Sequence, residues 1–349
     1  MMDERLYIPF WKGEQVFEES VVLVKGDGLP EGRLLFPPKE ILSVVGYDGS
    51  VSYPAEEYGF SGNRIFAREG SSLPYMTEEM TRGKGEAEKL GLSSMDGIVF
   101  TETTGIVKFQ IKVTYIGDKR AAPWTVLPVY KGDRLRNFRR RLGEGKGVRV
   151  LLYGDSIAAG CHASSVLGYP PYLPVWGRSF CDIISERYGV EAELVNLSVG
   201  GFTSRQGAES FDGKLLSVGK GTADLAIFAF GMNDGSWKIP REEYRRNMES
   251  LVGRMRLHSP DCDIAIVSTI LANPLCTQDK ALTRSYRLDD EALADRTERC
   301  AEVDMTTVSE GLYARKKGLD LLANDINHPT DFFVRIYTMY LCETLLGGN

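Results

Sequence analysis

The period of the hydrophobic residues changes near residue 148, and this change divides the chain into two differently built parts. Ahead of it, apolar residues come in short or alternating runs. Within 105–117, Phe109, Ile111, Val113 and Tyr115 alternate with Lys108, Gln110, Lys112 and Thr114, the period of a half-buried strand. Shorter runs at 21–24, 34–36, 41–45 and 98–100 are separated by Asp27-Gly28, Asp48-Gly49 and Asp96-Gly97, pairs that accept positive φ in tight turns. This punctuation predicts an all-β sandwich or jelly roll over residues 1–142, with one helix near 77–90.

From Val148 onward the apolar runs become continuous, at 148–153, 191–199, 225–230 and 264–270, as expected of strands covered on both faces. Helical stretches lie between and after them, at 177–188, 241–257, 288–300 and 330–345. In the second of these, Tyr244, Met248, Leu251, Val252 and Met255 form one apolar stripe. Alternating strand and helix at this spacing means a parallel sheet with helices on both faces, an α/β unit over 148–349. Leu142-Gly143-Glu144-Gly145-Lys146-Gly147 marks the joint.

Composition narrows the partners. The net charge is −6 over 349 residues, with residues 1–147 balanced, so no nucleic-acid partner is expected. The basic run Arg134–Arg141 reads as a linker or interface strip. No apolar stretch approaches the roughly 18 residues of a membrane span, so no membrane association is expected. The first nine residues, Met1 to Pro9, lack the apolar core of a secretory signal. All six cysteines lie after residue 160 without close pairing, which predicts free thiols and a cytoplasmic protein.

The chemistry concentrates at the carboxyl ends of the predicted parallel strands, where open α/β sheets bind ligands. The first strand runs into Gly154-Asp155-Ser156, which sets the Ser156 hydroxyl and N–H at a helix start. A helix cap alone would also explain Asp155 or Ser156. The second strand ends in Asn196-Leu197-Ser198-Val199-Gly200-Gly201, and the third in Gly231-Met232-Asn233-Asp234. Glycine N–H groups and the Asn233 amide are donors of the kind a developing oxyanion needs.

Only three histidines exist. His258 closes the amphipathic helix, and His162 follows Ser156 by six residues. His328 lies in Asn324-Asp325-Ile326-Asn327-His328-Pro329, with Asp325 near enough in sequence to orient the imidazole. HExxH, clustered Cys/His ligands, GxSxG and GxxxxGK[ST] are all missing, so no metal or other cofactor is expected.

Gly-Asp-Ser at 154–156, the glycine block ending at Gly201, Gly-x-Asn-Asp at 231–234 and Asp-x-x-His at 325–328 occur in this order. Together they resemble the four signatures of the SGNH (GDSL-like) hydrolases. The resemblance implies a three-layer flavodoxin-like domain and a catalytic triad of nucleophile Ser156, base His328 and orienting Asp325. It also implies an oxyanion hole from the N–H groups of Ser156 and Gly201 and the Asn233 amide. The first motif continues with Ile157 where the family has leucine. A β part ahead of such a domain is similar to carbohydrate esterases with an N-terminal jelly roll.

The expected reaction is hydrolysis of a short acyl ester, acetyl first, on a small molecule or oligosaccharide. Asp155, His162, Tyr172 and Trp237 are candidates to line the substrate site. A thioesterase or lysophospholipase acting on longer chains, and a carbohydrate-binding protein with an idle serine, remain alternatives. The sequence leaves monomer and homo-oligomer both open.

Overall fold

A computed structural model describes residues 4–347; Met1–Asp3 of the N-terminal segment and the last two residues lie outside it. Five parallel strands form the sheet of the second part, in the spatial order Ala192–Asn196, Val148–Gly154, Leu225–Ala229, Asp263–Val267, Cys300–Val303. This is the 2-1-3-4-5 order of doubly wound flavodoxin-like folds, with its topological switch beside Val148–Gly154. Successive residues of that strand face opposite layers. Val150 and Leu152 join a core with Trp176, Phe180 and Ile336, whereas Leu151 and Tyr153 join one with Phe211, Tyr244 and Leu293. Both faces are thus covered, which is why the strands read as unbroken apolar runs.

Three of the expected helices appear with small shifts, as Trp176–Tyr188, Arg241–His258 and Asp331–Leu341. The fourth, expected over 288–300, is Lys280–Arg296, and Cys300 instead opens the fifth strand. Cys300-Ala301-Glu302-Val303 is too short and too mixed to show strand periodicity. No helix of the described residues is long and apolar enough to cross a membrane. All six cysteines are free.

The first part is a curled, mostly antiparallel, sandwich-like sheet. Its axis is the long strand Gln15–Lys25, which pairs with Gln110–Gly117 over residues 15–22 and with Tyr75–Thr77 at its end. Glu18, at φ 45, sits in an irregularity between Val16 and Glu19 that bends the strand. Asp96 and Gly97, at φ 54 and 81, join Ser93–Met95 to Ile98–Phe100, the positive-φ pair of a tight hairpin. The helix expected over 77–90 is broken: Gly83, at φ 69, separates the short turns Met80–Arg82 and Glu86–Lys89.

Gln110 and Thr114, expected to face water, are buried. The second part covers that face, and Gln110 Nε2 donates to Leu319 O at 2.9 Å. The seam continues along Lys316–Asp320. The Lys316 ammonium pairs with the Glu19 carboxylate, both side chains being fully buried, and donates to Arg33 O at 2.7 Å. Glu19 also accepts from Leu35 N and Tyr115 Oη at 2.9 and 2.7 Å, and Asp320 Oδ1 accepts from Val22 N at 2.7 Å. One hydrophobic cluster runs through both parts, from Val16, Phe36 and Tyr115 to Phe332 and Tyr337. The basic run docks too: Arg139 donates to Tyr188 Oη and Leu346 O, both at 2.8 Å.

Lys316→Met strands the Glu19 carboxylate in this seam and is expected to cost about 3–5 kcal/mol of stability. Adding Glu19→Gln should recover much of that loss. Urea unfolding of the three proteins reads both effects, and a single-variant loss under about 1 kcal/mol would contradict the assignment.

Candidate active site

Strand Val148–Gly154 ends at a residue that has to be glycine: a Cβ on Gly154 would lie 2.2 Å from Ala229 O. The chain then turns into Ser156–Ala159, with Asp155 as its cap, accepting from Ile157 N at 3.0 Å. Asp155, a candidate for the substrate site, is 2% exposed and spends one carboxylate oxygen on this cap. Burial first of all, with Asp234 nearby, raises its pKa to about 7. Ser156 is 6% exposed, and its Oγ lies 2.9 Å from His328 Nε2.

Gly200 lies against Ser156, since a Cβ there would be 3.9 Å from Ser156 Cβ; Gly201 faces open space at φ +79. Val199 N is tied to Gly154 O at 3.0 Å, which seats this loop beside the serine turn. Among the described residues, the N–H groups of Ser156, Gly200 and Gly201 donate to no other protein atom. Asn233 Nδ2 donates to Phe202 O at 3.0 Å, which orients the amide and leaves its second N–H available. Asp234 fixes that arrangement by accepting from Ser204 N at 2.9 Å and Ser204 Oγ at 2.6 Å.

The histidine loop differs from the sequence expectation. Asp325 does not meet the imidazole. It has a left-handed backbone at φ 59 and is 3% exposed. Its Oδ1 and its carbonyl both accept from Asn273 Nδ2 at 2.8 Å, and burial pushes its pKa well up. What faces His328 Nδ1 is Nδ1 of His162, at 2.8 Å. The loop is held by Asn324, whose Oδ1 accepts from the backbone N of Ile326, Asn327 and His328 at 3.0, 3.0 and 2.9 Å. Sequence reasoning missed Asn324, although an asparagine opening a turn is a known signal for such bonds.

His162, 4% exposed and at φ 68, reaches the β part on its far side. Its Nε2 lies 3.3 Å from Thr101 O and 3.7 Å from Glu102 Oε2. Glu102, His162 and His328 bring three potential ligand atoms within 4.8 Å of one another. Two nitrogens on one zinc ion at about 2.0–2.1 Å would sit about 3.3 Å apart. The 2.8 Å separation here is that of a hydrogen bond. Tyr172 and Trp237 are 56% and 74% exposed, on the segments that follow the first and third parallel strands. His258 lies at its helix end, bonded to Ser259 Oγ at 3.0 Å.

A family model described as GDSL-like Lipase/Acylhydrolase matches residues 152–332, just over half of the 349-residue chain. The chain belongs to this family. The matched region of the GDSL-like chain includes Ser156, the Gly200-Gly201 turn, Asn233 and His328, and excludes Thr101 and Glu102. No curated protein matches it significantly. Among solved structures it is similar to a two-domain esterase (CEX) active on acetylated mannans, at 19% identity and TM-score 0.48, over 61% of this chain and 53% of that one. The GDSL-like chain thus spans about half the length of that esterase. It is also similar to a mutant of Axe2, an acetyl-xylooligosaccharide esterase from Geobacillus Stearmophilus, at 15% identity and TM-score 0.47, over 58% and 95% of the two chains. TesA matches at 20% identity and TM-score 0.44, over 56% and 97%.

Asn324→Ala in the GDSL-like chain leaves three N–H groups without their acceptor, at about 1–3 kcal/mol for each one that stays unsatisfied. A lowered Tm together with a lower kcat is expected, read by calorimetry and steady-state kinetics. A wild-type Tm would show that the loop does not depend on this side chain.

Proposed function

We propose that this protein is a serine esterase that removes short acyl groups, acetyl foremost, from a carbohydrate or related small alcohol. The observation that carries the reading is the 2.9 Å contact between Ser156 Oγ and His328 Nε2, at a strand end flanked by glycine N–H groups and an oriented amide. In the reaction, Ser156 Oγ attacks the ester carbonyl carbon as His328 Nε2 takes its proton. The carbonyl π electrons move to oxygen, and the oxyanion is held by the N–H groups of Ser156 and Gly201 and by Asn233 Nδ2. Collapse expels the alcohol, which takes the proton from His328. Water then attacks the acyl-enzyme through the same base, releasing the acid and restoring Ser156.

The carbohydrate reading is supported by Tyr172 and Trp237, exposed aromatics on loops at the same sheet edge as Ser156. Trp237 closes the short helix that carries Asn233, and its backbone N–H donates to Asn233 O at 2.8 Å. Such rings can stack on a sugar face while their polar ends stay wet.

Hydrolysis of nitrophenyl esters from acetate to decanoate tests this reading. The expected result is a preference for acetate that is lost in Ser156→Ala. A preference for long chains would favour a thioesterase or lysophospholipase, and equal negligible rates in both proteins would favour an idle binding site.

The base should also work in acid. Burial holds the His328 pKa below the ordinary imidazole range. A lowered pKa keeps the base neutral as pH falls, so kcat/KM should hold its plateau below about pH 6 instead of declining through about 6.5. A limb at 6.5 or above would contradict this electrostatic picture.

A further inference from the structure

The geometry points to His162 as the positioning residue of the catalytic base, in a hydrogen-bond chain that runs from Ser156 through two imidazoles to the Thr101 carbonyl of the β part, with the exposed Glu102 carboxylate 3.7 Å beyond. This inference rests on the serine esterase reading and deepens it. The direction of every bond follows from its far end. Thr101 O, 3.3 Å from His162 Nε2, is a carbonyl and can only accept, so His162 Nε2 carries a proton. A neutral His162 then has a lone pair on Nδ1. His328 Nδ1, 2.8 Å away, must be the donor, which leaves His328 Nε2 free to accept from Ser156 Oγ at 2.9 Å. One carbonyl thus selects the tautomer a general base requires.

Two more features agree. His162 has φ 68, a left-handed conformation uncommon outside glycine, held here because the ring is buried between His328 and the β part. Asp325, the residue the Asp-x-x-His spacing nominates, is engaged by Asn273 at 2.8 Å.

In the transition state the Ser156 proton moves to His328 Nε2. The resulting cation shares its Nδ1–H with neutral His162, whose Nε2–H faces Glu102 Oε2 at 3.7 Å. The compensating carboxylate stands one ring further out than in a Ser-His-Asp arrangement, and no further proton has to move. It also comes from residue 102, outside the matched 152–332 region, so the β part completes the active site. The groups directly facing His328 are Ser156 and His162. Glu102 lies one ring beyond, Asp155 caps the turn that carries Ser156 by accepting from Ile157 N, and Asp325 faces Asn273.

The test is a series at position 162, assayed with nitrophenyl acetate across pH and compared with Asp325→Asn. His162→Ala should lower kcat about 100-fold or more, with KM within about threefold. His162→Asn suits a left-handed backbone and keeps an acceptor near the Nδ1 position. It should recover at least about tenfold of that loss. His162→Asp should raise the acid limb by about one pH unit or more, because an adjacent carboxylate favours imidazolium. Asp325→Asn should lower kcat less than His162→Ala. Asn and Asp variants as impaired as Ala with an unmoved acid limb, or the reverse ranking of Asp325→Asn and His162→Ala, would overturn the proposal.

A second readout does not depend on turnover. With three histidines in the chain, imidazole 15N NMR should show His328 protonated on Nδ1 and His162 on Nε2. The opposite tautomer at His162 would overturn the chain of bonds even in a protein with no esterase activity. If wild type and Ser156→Ala both fail to turn over while the tautomers are as stated, the esterase reading fails and the hydrogen-bond chain stands.

Discussion

The ion pair between Glu19 and Lys316 is the contact on which the rest of the arrangement depends. Placing two charges where neither side chain reaches water carries a desolvation cost that is offset only when every remaining donor and acceptor is satisfied. Here Leu35 N, Tyr115 Oη and Arg33 O do so. The pair therefore tolerates one registry of the β part against the α/β part. Asp320, four residues on, repeats the constraint by accepting from Val22 N at 2.7 Å, and the Ser20 hydroxyl donates to its carbonyl. Seven residues after Lys316 the chain enters the loop that Asn324 organises and His328 ends.

That registry has a chemical consequence. The proposed base, His328, belongs to the histidine loop and the proposed nucleophile, Ser156, follows the switch-point strand, while Thr101 and Glu102 follow the strand Ile98–Phe100 of the β part. A shift of about 1 Å between the two parts would break the 3.3 Å contact at His162 Nε2 and with it the tautomer of His328. Misplacements of that size are enough to reduce catalysis severely even when they arise away from the reacting atoms. The N-terminal sheet is thus read as part of the site as well as a neighbour of it.

The sequence was most informative where chemistry and local geometry coincide. Gly154, Ser156, Gly201 and Asn233 follow strand ends whose apolar runs are legible, and the glycine at 154 is forced by a neighbouring carbonyl 2.2 Å from where a Cβ would stand. Asp325 shows the limit of spacing as a guide. Three residues before a histidine is close enough for an orienting bond, but a single left-handed φ and an amide 52 residues away redirect the carboxylate. His162 and His328 are 166 residues apart, and no periodicity links them. Gln110 and Thr114 misled for a related reason: alternation reports which face of a strand is polar, not whether another part of the chain supplies partners for it. The fifth parallel strand was hidden by its four-residue length.

The most direct test of the account is covalent capture of the nucleophile by a small phosphonate ester, followed by peptide mass spectrometry and timed against His328→Ala. The account predicts one adduct, on Ser156, forming at least about 100-fold more slowly without the base. Labelling at another residue, or a Ser156 rate indifferent to His328, would contradict it.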